Sequence, residues 1–206
     1  MPSSSKKVFF GGHVFHVYEN VYEPAEDSFL FAENFSVTEG DSVVDIGTGC
    51  GILGVLAANQ SARVFAIDIN PHAVRCAKEN AELNHVVGKM FFLHGDLLTS
   101  LRTGVTFDLI LFNAPYLPCS LSGRSSWLER AWAGGNAGRQ VIDRFISEIP
   151  KYLKHRGRVF LMQSTLSDIN KTVREFENKG LKTNVVAKRA LPFFETIVLM
   201  KAEFHS

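Results

Sequence analysis

Cysteine is scarce in this chain, and what there is falls in no metal-binding or disulfide pattern. Cys50, Cys76 and Cys119 are odd in number, far apart, and without a CxxC pair. That argues against a disulfide framework and a cysteine zinc site, and it fits a reducing cytoplasmic setting. Long apolar runs are missing as well. None approaches the roughly 20 residues of a membrane-spanning helix. The N-terminal stretch VFFGGHVFHVY follows Lys6 and Lys7, but glycine and histidine interrupt it, so it does not read as a signal peptide. Charge of one sign is also lacking. A formal net charge of +1 offers no broad field for a polyanion, which argues against autonomous binding to long nucleic acid and leaves open only a local basic patch. The seven histidines show no ligand spacing, so no metal is expected in this chain.

What remains is ordinary globular material: 206 residues, 46% hydrophobic and 21% charged. Such a chain buries a core without staples, and one domain is the default. The expected domain spans residues 18–206, after an N-terminal extension, 1–17, whose MPSSSKK end reads as a loose tail. Short β-branched runs at 42–46, 63–68, 89–94, 107–112, 158–163, 183–187 and 195–201 alternate with helical patterns near 24–35, 51–59, 71–84, 138–154 and 168–179. Asn70 and Pro71 form a good helix start. Ala73, Ala77 and Ala81 then make a small-residue stripe suited to lying on a sheet. The alternation predicts an α/β, doubly wound, mostly parallel seven-stranded sheet. Its last two strands are joined by only a few residues, too few for a helical crossover, so the final strand is expected to be antiparallel.

The loop after the first of these strands reads DIGTGCGILG, residues 45–54. Gly49, Gly51 and Gly54 match the dinucleotide pattern G-x-G-x-x-G, with Asp68 near the distance for a ribose. Asp45, Gly47, Gly49 and Gly51 match a rival pattern, an acid followed by G-x-G-x-G. A carboxylate at 45 would repel a pyrophosphate but attract the ammonium and sulfonium of S-adenosylmethionine. The rival pattern is therefore preferred, over both a dehydrogenase and a plain strand-end acid. Asp68 then accepts from the ribose hydroxyls, with a possible second role in the turn before Asn70. Asp96, in HGDLL, is either a partner of the adenine amino group or a turn aspartate after Gly95.

Residues 113–118, NAPYLP, follow the apolar run FDLILF at the edge where open α/β sheets place their sites. An amide nitrogen is a poor nucleophile because its lone pair is delocalised. The side-chain oxygen of Asn113 and the backbone carbonyl of Ala114 can accept both N–H bonds of such a group and orient it. Pro115 stiffens the loop, and Tyr116 offers a flat face to an amide or a base. The competing reading is a rigid surface turn with a packed tyrosine.

Taken together, these residues resemble the class I S-adenosylmethionine-dependent methyltransferases with an (N/D)PP(Y/F) motif. More narrowly, they resemble the HemK-type protein glutamine N5-methyltransferases of the eukaryotic and archaeal release-factor branch. VYEPAEDSFL at 21–30, DIGTGCG, AIDINPHAV and AWAGGNAGRQVIDRF at 131–145 carry the likeness over about residues 18–200. It implies methylation of the glutamine side-chain amide in the GGQ loop of a class-1 translation release factor. It also implies cofactor contacts from Ser28, Asp45, Gly47, Gly49, Asp68, Asp96, Leu97 and Asn113. Catalytic roles fall to Asn113, Ala114, Pro115 and Tyr116, and substrate contacts extend from Asn113 to Leu117. Ala114 departs from the proline usual there, which puts loop stiffness in question. Asp27 and Ser28 are read as closing over the amino-acid end of the cofactor, and AWAGGNAG as a mobile flap anchored by Trp132 or a glycine-rich connector.

In the usual strand order KMFFLH lies at a sheet edge, with Met90, Phe91, Phe92 and Leu93 in a row. A partner subunit is expected there, and the resemblance implies a small zinc-binding activator. Self-coverage by residues 8–17 or by the chain's own helices is the rival. Other activities stay open: adenine N6-methylation of nucleic acid, since an exocyclic amine presents the same two N–H groups; protein lysine methylation; and a non-catalytic cofactor-binding scaffold.

Overall fold

The computed structural model describes residues 5–60, 63–121, 123 and 125–204. Two strands, β1 (Ser5–Phe10) and β2 (His13–Tyr18), open the chain as an antiparallel hairpin. Then come α1 (Glu26–Asn34), β3 (Ser42–Ile46), α2 (Ile52–Asn59), β4 (Arg63–Asp68), α3 (Pro71–Leu83) and β5 (Met90–His94). The second half holds β6 (Phe107–Asn113), α4 (Trp127–Trp132), α5 (Gln140–Glu148), β7 (Leu153–Ser164), α6 (Ile169–Glu177), β8 (Leu181–Ala190) and β9 (Thr196–Phe204). Among the described residues the main sheet is seven-stranded, in the order β5-β4-β3-β6-β7-β9-β8. Strands β3 to β7 pair in parallel, and β9 is antiparallel to both its neighbours, as the short final connection requires.

The central strands SVVDI and FDLILF read as apolar runs because both faces are covered. One face packs under α1, α2, α3 and the hairpin around Phe31, Leu53, Ala73 and Ala81. The other packs under α5 and α6 around Phe112, Phe145 and Phe176. Helix α3 starts as its sequence dictates: the Asn70 side chain accepts the His72 N–H at 2.9 Å and Pro71 sits in the first turn. The helical stretch expected over 138–154 is shorter. It gives way to a 3-10 turn at Ile149–Lys151, where Pro150 lacks the N–H that would continue an α-helix, and Leu153 already begins a strand.

The N-terminal segment also differs from expectation. Ser5, Lys6 and Lys7 of the supposed loose tail belong to β1, and residues 1–4 lie outside the described residues. Phe15 and Val17 of β2 are buried in the core. The reason lies far along the chain. Asn80 exchanges two hydrogen bonds with the His16 backbone (2.8 and 2.7 Å), and Asn84 does the same with Val14 (3.3 and 2.8 Å). Two asparagines one helical turn apart thus meet two alternate residues of a strand. Their side-chain amides stand in for a third strand and satisfy the hairpin's edge. This fastens the hairpin to α3.

Candidate active site

All parallel strands end at one edge of the sheet, and β3 lies between β4 on one side and β6 on the other, the topological switch point. A cavity of about 420 Å³ opens there. Every residue expected at the site lines it: Ser28, Asp45, Gly47, Gly49, Asp68, Asp96, Leu97 and Asn113 through Leu117.

The glycine turn is built to let the chain bend tightly. Gly47, Gly49 and Gly51 all have positive φ. At Gly51, with φ of 87°, a β-carbon would also lie 3.0 Å from Ala77 of α3. A side chain there would push the turn off the helix behind it. Asp45 sits beneath, 1% exposed. Its Oδ2 accepts from Thr48 Oγ1 at 2.6 Å and from the Gly54 N–H at 3.0 Å. Burial pushes its carboxyl up to about 7; those two hydrogen bonds hold it back, and the charge of Asp68 adds to the rise. Asp68 accepts the Gly49 N–H at 2.9 Å on one oxygen and the Asn70 N–H at 2.8 Å on the other. Burial raises it too, against those backbone bonds. The turn role and the cleft-lining position therefore coexist in Asp68. Asp96 is bonded to Arg144 of α5 at 2.6 Å, a partner that spacing in the sequence does not disclose.

Across the cleft, Asn113 ends β6. Its Nδ2 donates to Asp27 Oδ2 at 3.1 Å and to Ser28 Oγ at 3.3 Å. Its Oδ1 is buried and, among the described residues, has no hydrogen-bond partner. The orientation is dictated by chemistry, since turning the amide over would set Oδ1 against a carboxylate. Asp27 is the hub of this half. It also accepts from the hydroxyls of Tyr22 and Tyr116, both at 3.3 Å, and from the Ser28 N–H at 2.6 Å. Burial first, then the Asp27 charge, drives both phenols above their ordinary range. In the structure Asp27 and Ser28 bond the Asn113 side chain; closing over a cofactor's amino-acid end was the expectation from sequence.

Glycine packing braces the loop. The Leu117 N–H donates to Trp132 O, the Gly134 N–H to Leu117 O, and the Gly135 N–H to Cys119 O. At Gly138, with φ of 67°, a β-carbon would overlap the Tyr116 carbonyl. The AWAGGNAG segment is thus stitched along NAPYL rather than standing off as a separate flap. It supplies the rigidity that a second proline would otherwise give at Ala114. Arg139 locks its far end through Ser167 O, Asp168 O, Thr172 and Asp143.

A protein of Methanocaldococcus jannaschii named as a candidate protein N5-glutamine methyltransferase is 41% identical over 185 residues, covering 89% of this chain and 92% of its own. The chain belongs to the HemK-type protein N5-glutamine methyltransferase family. It is an S-adenosylmethionine-dependent N-methyltransferase of the class I, Rossmann-like fold. The human methyltransferase HEMK2 is 33% identical, covering 87% of this chain and 89% of its own. A chain from the structure of the E. cuniculi Mtq2–Trm112 complex, described as responsible for methylation of the eRF1 translation termination factor, matches with a TM-score of 0.69 at 25% identity, over 90% of this methyltransferase and 99% of that chain. The family model for ribosomal protein L11 methyltransferase (PrmA) matches residues 28–114, from α1 to the residue after Asn113. That span holds the glycine turn, Asp68, Asp96 and Asn113, and leaves out Asp27 and Tyr116.

Proposed function

We propose that this methyltransferase methylates the side-chain amide nitrogen of the glutamine in the GGQ loop of a class-1 translation release factor. The observation that carries the reading is the buried, unpartnered Oδ1 of Asn113. A buried acceptor without a donor costs free energy that a bound N–H group returns. Bonds from its own amide to Asp27 and Ser28 fix the direction in which Asn113 offers that oxygen.

S-adenosylmethionine, when bound, supplies an electrophilic methyl on a sulfonium. The residues fit such a ligand. Asp45 and Asp68 put two buried carboxylates beside a glycine turn, a poor seat for a pyrophosphate and a good one for a cation carrying a ribose. Ser28, Gly47, Gly49 and Leu97 would complete its walls, and Asp96 would meet the adenine end in competition with Arg144.

Asn113 Oδ1 takes one N–H of the acceptor amide, and the Ala114 carbonyl takes the other. Both acceptors stabilise positive charge as it grows on nitrogen. Pro115 and Leu117 wall the acceptor, and the Tyr116 ring covers its plane. Asp27 is a positioning group rather than a base, since Asn113, Ser28 and two tyrosines already occupy its oxygens. The surplus proton on the methylated nitrogen passes to solvent water after transfer, once the amide is no longer held in line.

The decisive test offers labelled S-adenosylmethionine with release factor carrying GGQ or GGA. Label on GGQ alone supports the assignment; equal label on both removes it. Label on an adenine oligonucleotide or on a lysine would select the other readings instead.

A small partner subunit is part of this proposal. Among the described residues β5 ends the sheet, and one side of its backbone has no neighbouring strand. Of its apolar row, Met90 is buried, Phe92 and Leu93 are partly covered, and Phe91 stands 48% exposed, stacked on Phe65. Of the two self-coverages weighed from sequence, residues 8–17 bond to α3, and the chain's own helices cover one face of the row, where Met90 and Phe92 pack in the core with residues of α2 and α3. An activator that adds to this edge, zinc-binding as the family resemblance implies, would cover Phe91. Unchanged hydrogen exchange at 90–94 on adding a copurified subunit would remove this idea. Among the described residues no helix is long and apolar enough to cross a membrane. A cytoplasmic setting accords with a translation-factor substrate; fractionation of a tagged chain tests it.

A further inference from the structure

The turn between β8 and β9 stands apart from the rest of the surface. Phe193 and Phe194 are 95% and 103% exposed. Both have left-handed backbone, with φ of 62° and 63°. Side chains with a β-carbon avoid that region, and glycine or asparagine is the usual choice in such a turn. Two adjacent phenylalanines here are disfavoured by backbone and by water together, and among the described residues neither ring is covered.

The turn is nonetheless firmly mounted. The Leu191 N–H donates to Glu195 O at 2.8 Å and closes it. The Thr196 N–H donates to Thr165 Oγ1 at 3.0 Å. Just before the turn, Arg189 pairs with Glu26 and Glu33 of α1, the helix that carries Asp27 and Ser28. β8 runs in the direction of β3 and β6, so the turn emerges at the same sheet edge as Asn113. Glu195 lies close enough to Tyr22 and Tyr116 for its charge to add to the effects of burial and Asp27 on both. One Glu195 oxygen, Oε1, is buried and lacks a partner among the described residues.

We infer that the Phe193–Phe194 turn is a docking arm for the protein substrate, seating in an apolar socket beside the acceptor residue. This rests on the glutamine-methylation reading for the identity of that protein. Exposed aromatics also stack on nucleic-acid bases, but such platforms come with basic tracks along the backbone. The charged side chains tied to this turn are on balance acidic: Glu26 and Glu33 share the single cation Arg189, and Glu195 Oε1 has no partner among the described residues. A polyanion is repelled there, whereas an apolar protein surface flanked by basic residues is complemented.

The test measures binding of full-length class-1 release factor to the methyltransferase, with any copurifying subunit, saturated with S-adenosylhomocysteine. Two variants are compared with wild type: F193S/F194S, and F193G/F194G, in which glycine accepts the left-handed backbone. We expect the Kd for release factor to rise about 10- to 100-fold in both. kcat at saturation and turnover of a short GGQ peptide should stay within twofold. Tm of the glycine variant should hold or rise. An unchanged Kd, an equal loss on the short peptide, or a fall in Tm of the glycine variant overturns the docking role. So does tighter binding of single-stranded RNA than of release factor, lost in the variants. Should wild type bind through the turn yet leave GGQ unlabelled, the glutamine reading falls and the arm stands. Methylation intact with variant binding equal to wild type gives the reverse. Absence of any binding by wild type overturns both.

Discussion

The two halves of the cleft differ in how settled their polar groups are. On the glycine-turn side, Asp45 and Asp68 are tied to Thr48, Gly54, Gly49 and Asn70, so the turn holds its shape through its own bonds. On the β6 side, Asp27 gathers Asn113, Tyr116, Tyr22 and Ser28, yet the network closes one bond short, at Asn113 Oδ1. A finished half suits a ligand that stays through a binding event. An unfinished half suits a group that must be held in one orientation and only while it reacts.

That contrast breaks most sharply at Asn113. N113A should lower kcat roughly a hundred- to a thousandfold, while donor affinity, measured by calorimetry, changes only a few-fold. A parallel collapse of donor binding would mean the two halves are not separable. D27N should come next, at roughly 30-fold in kcat through misplacement of Asn113. The side chain keeps its shape, but an amide NH2 facing the Asn113 NH2 removes the reason for its orientation. Here the check is the ratio of effects: in the N113A background D27N should add little, because both act through one oxygen.

The readiness of each half to be foreseen from sequence follows the same division. The glycine turn, Asp68 and the Asn70-Pro71 helix start are local, and their chemistry is written within a few adjacent residues. The parallel strands were legible as apolar runs, and the antiparallel end followed from a connection too short for a crossover. Asp27 lay in a stretch already singled out, but its service to Asn113 joins residues 86 apart in sequence. The hairpin at 5–18 was missed because its edge is satisfied by Asn80 and Asn84, side chains of a helix that nothing in VFFGGHVFHVY announces. Helix α4 had a signal that went unused: Ser126 and Glu129 form a capping box. The left-handed Phe193 and Phe194 ran against turn chemistry, and a departure of that kind is read only from structure.

Gly138 probes how far the β6 half depends on its brace. G138A adds a methyl against the Tyr116 carbonyl at a residue with positive φ. It should lower kcat about tenfold and destabilise the fold by about 1–3 kcal/mol. G51A makes the matching insult on the other side, where Ala77 is the obstacle. It should weaken donor binding while leaving the residual kcat at donor saturation less affected. Equal kinetic signatures from the two would show that the cleft moves as one body.

The smallest expected effect concerns protons and the glycine-turn half alone. Asp45 is raised to about 7, chiefly by burial, so near neutral pH it carries its charge only part of the time. A cationic ligand favours the ionised form, and binding therefore releases a proton below pH 7. Donor affinity should weaken roughly fivefold between pH 8 and pH 6. Stability of the free protein runs the opposite way. A carboxyl raised in the folded state binds its proton more tightly than in the unfolded chain, so this contribution is full below about pH 4 and is lost as pH rises through 7. D45N should flatten both profiles, which opposing slopes in calorimetric Kd and in Tm of wild type would make visible. Slopes of the same sign, or a donor Kd indifferent to pH in wild type, would mean that the charge beneath the glycine turn never meets the ligand.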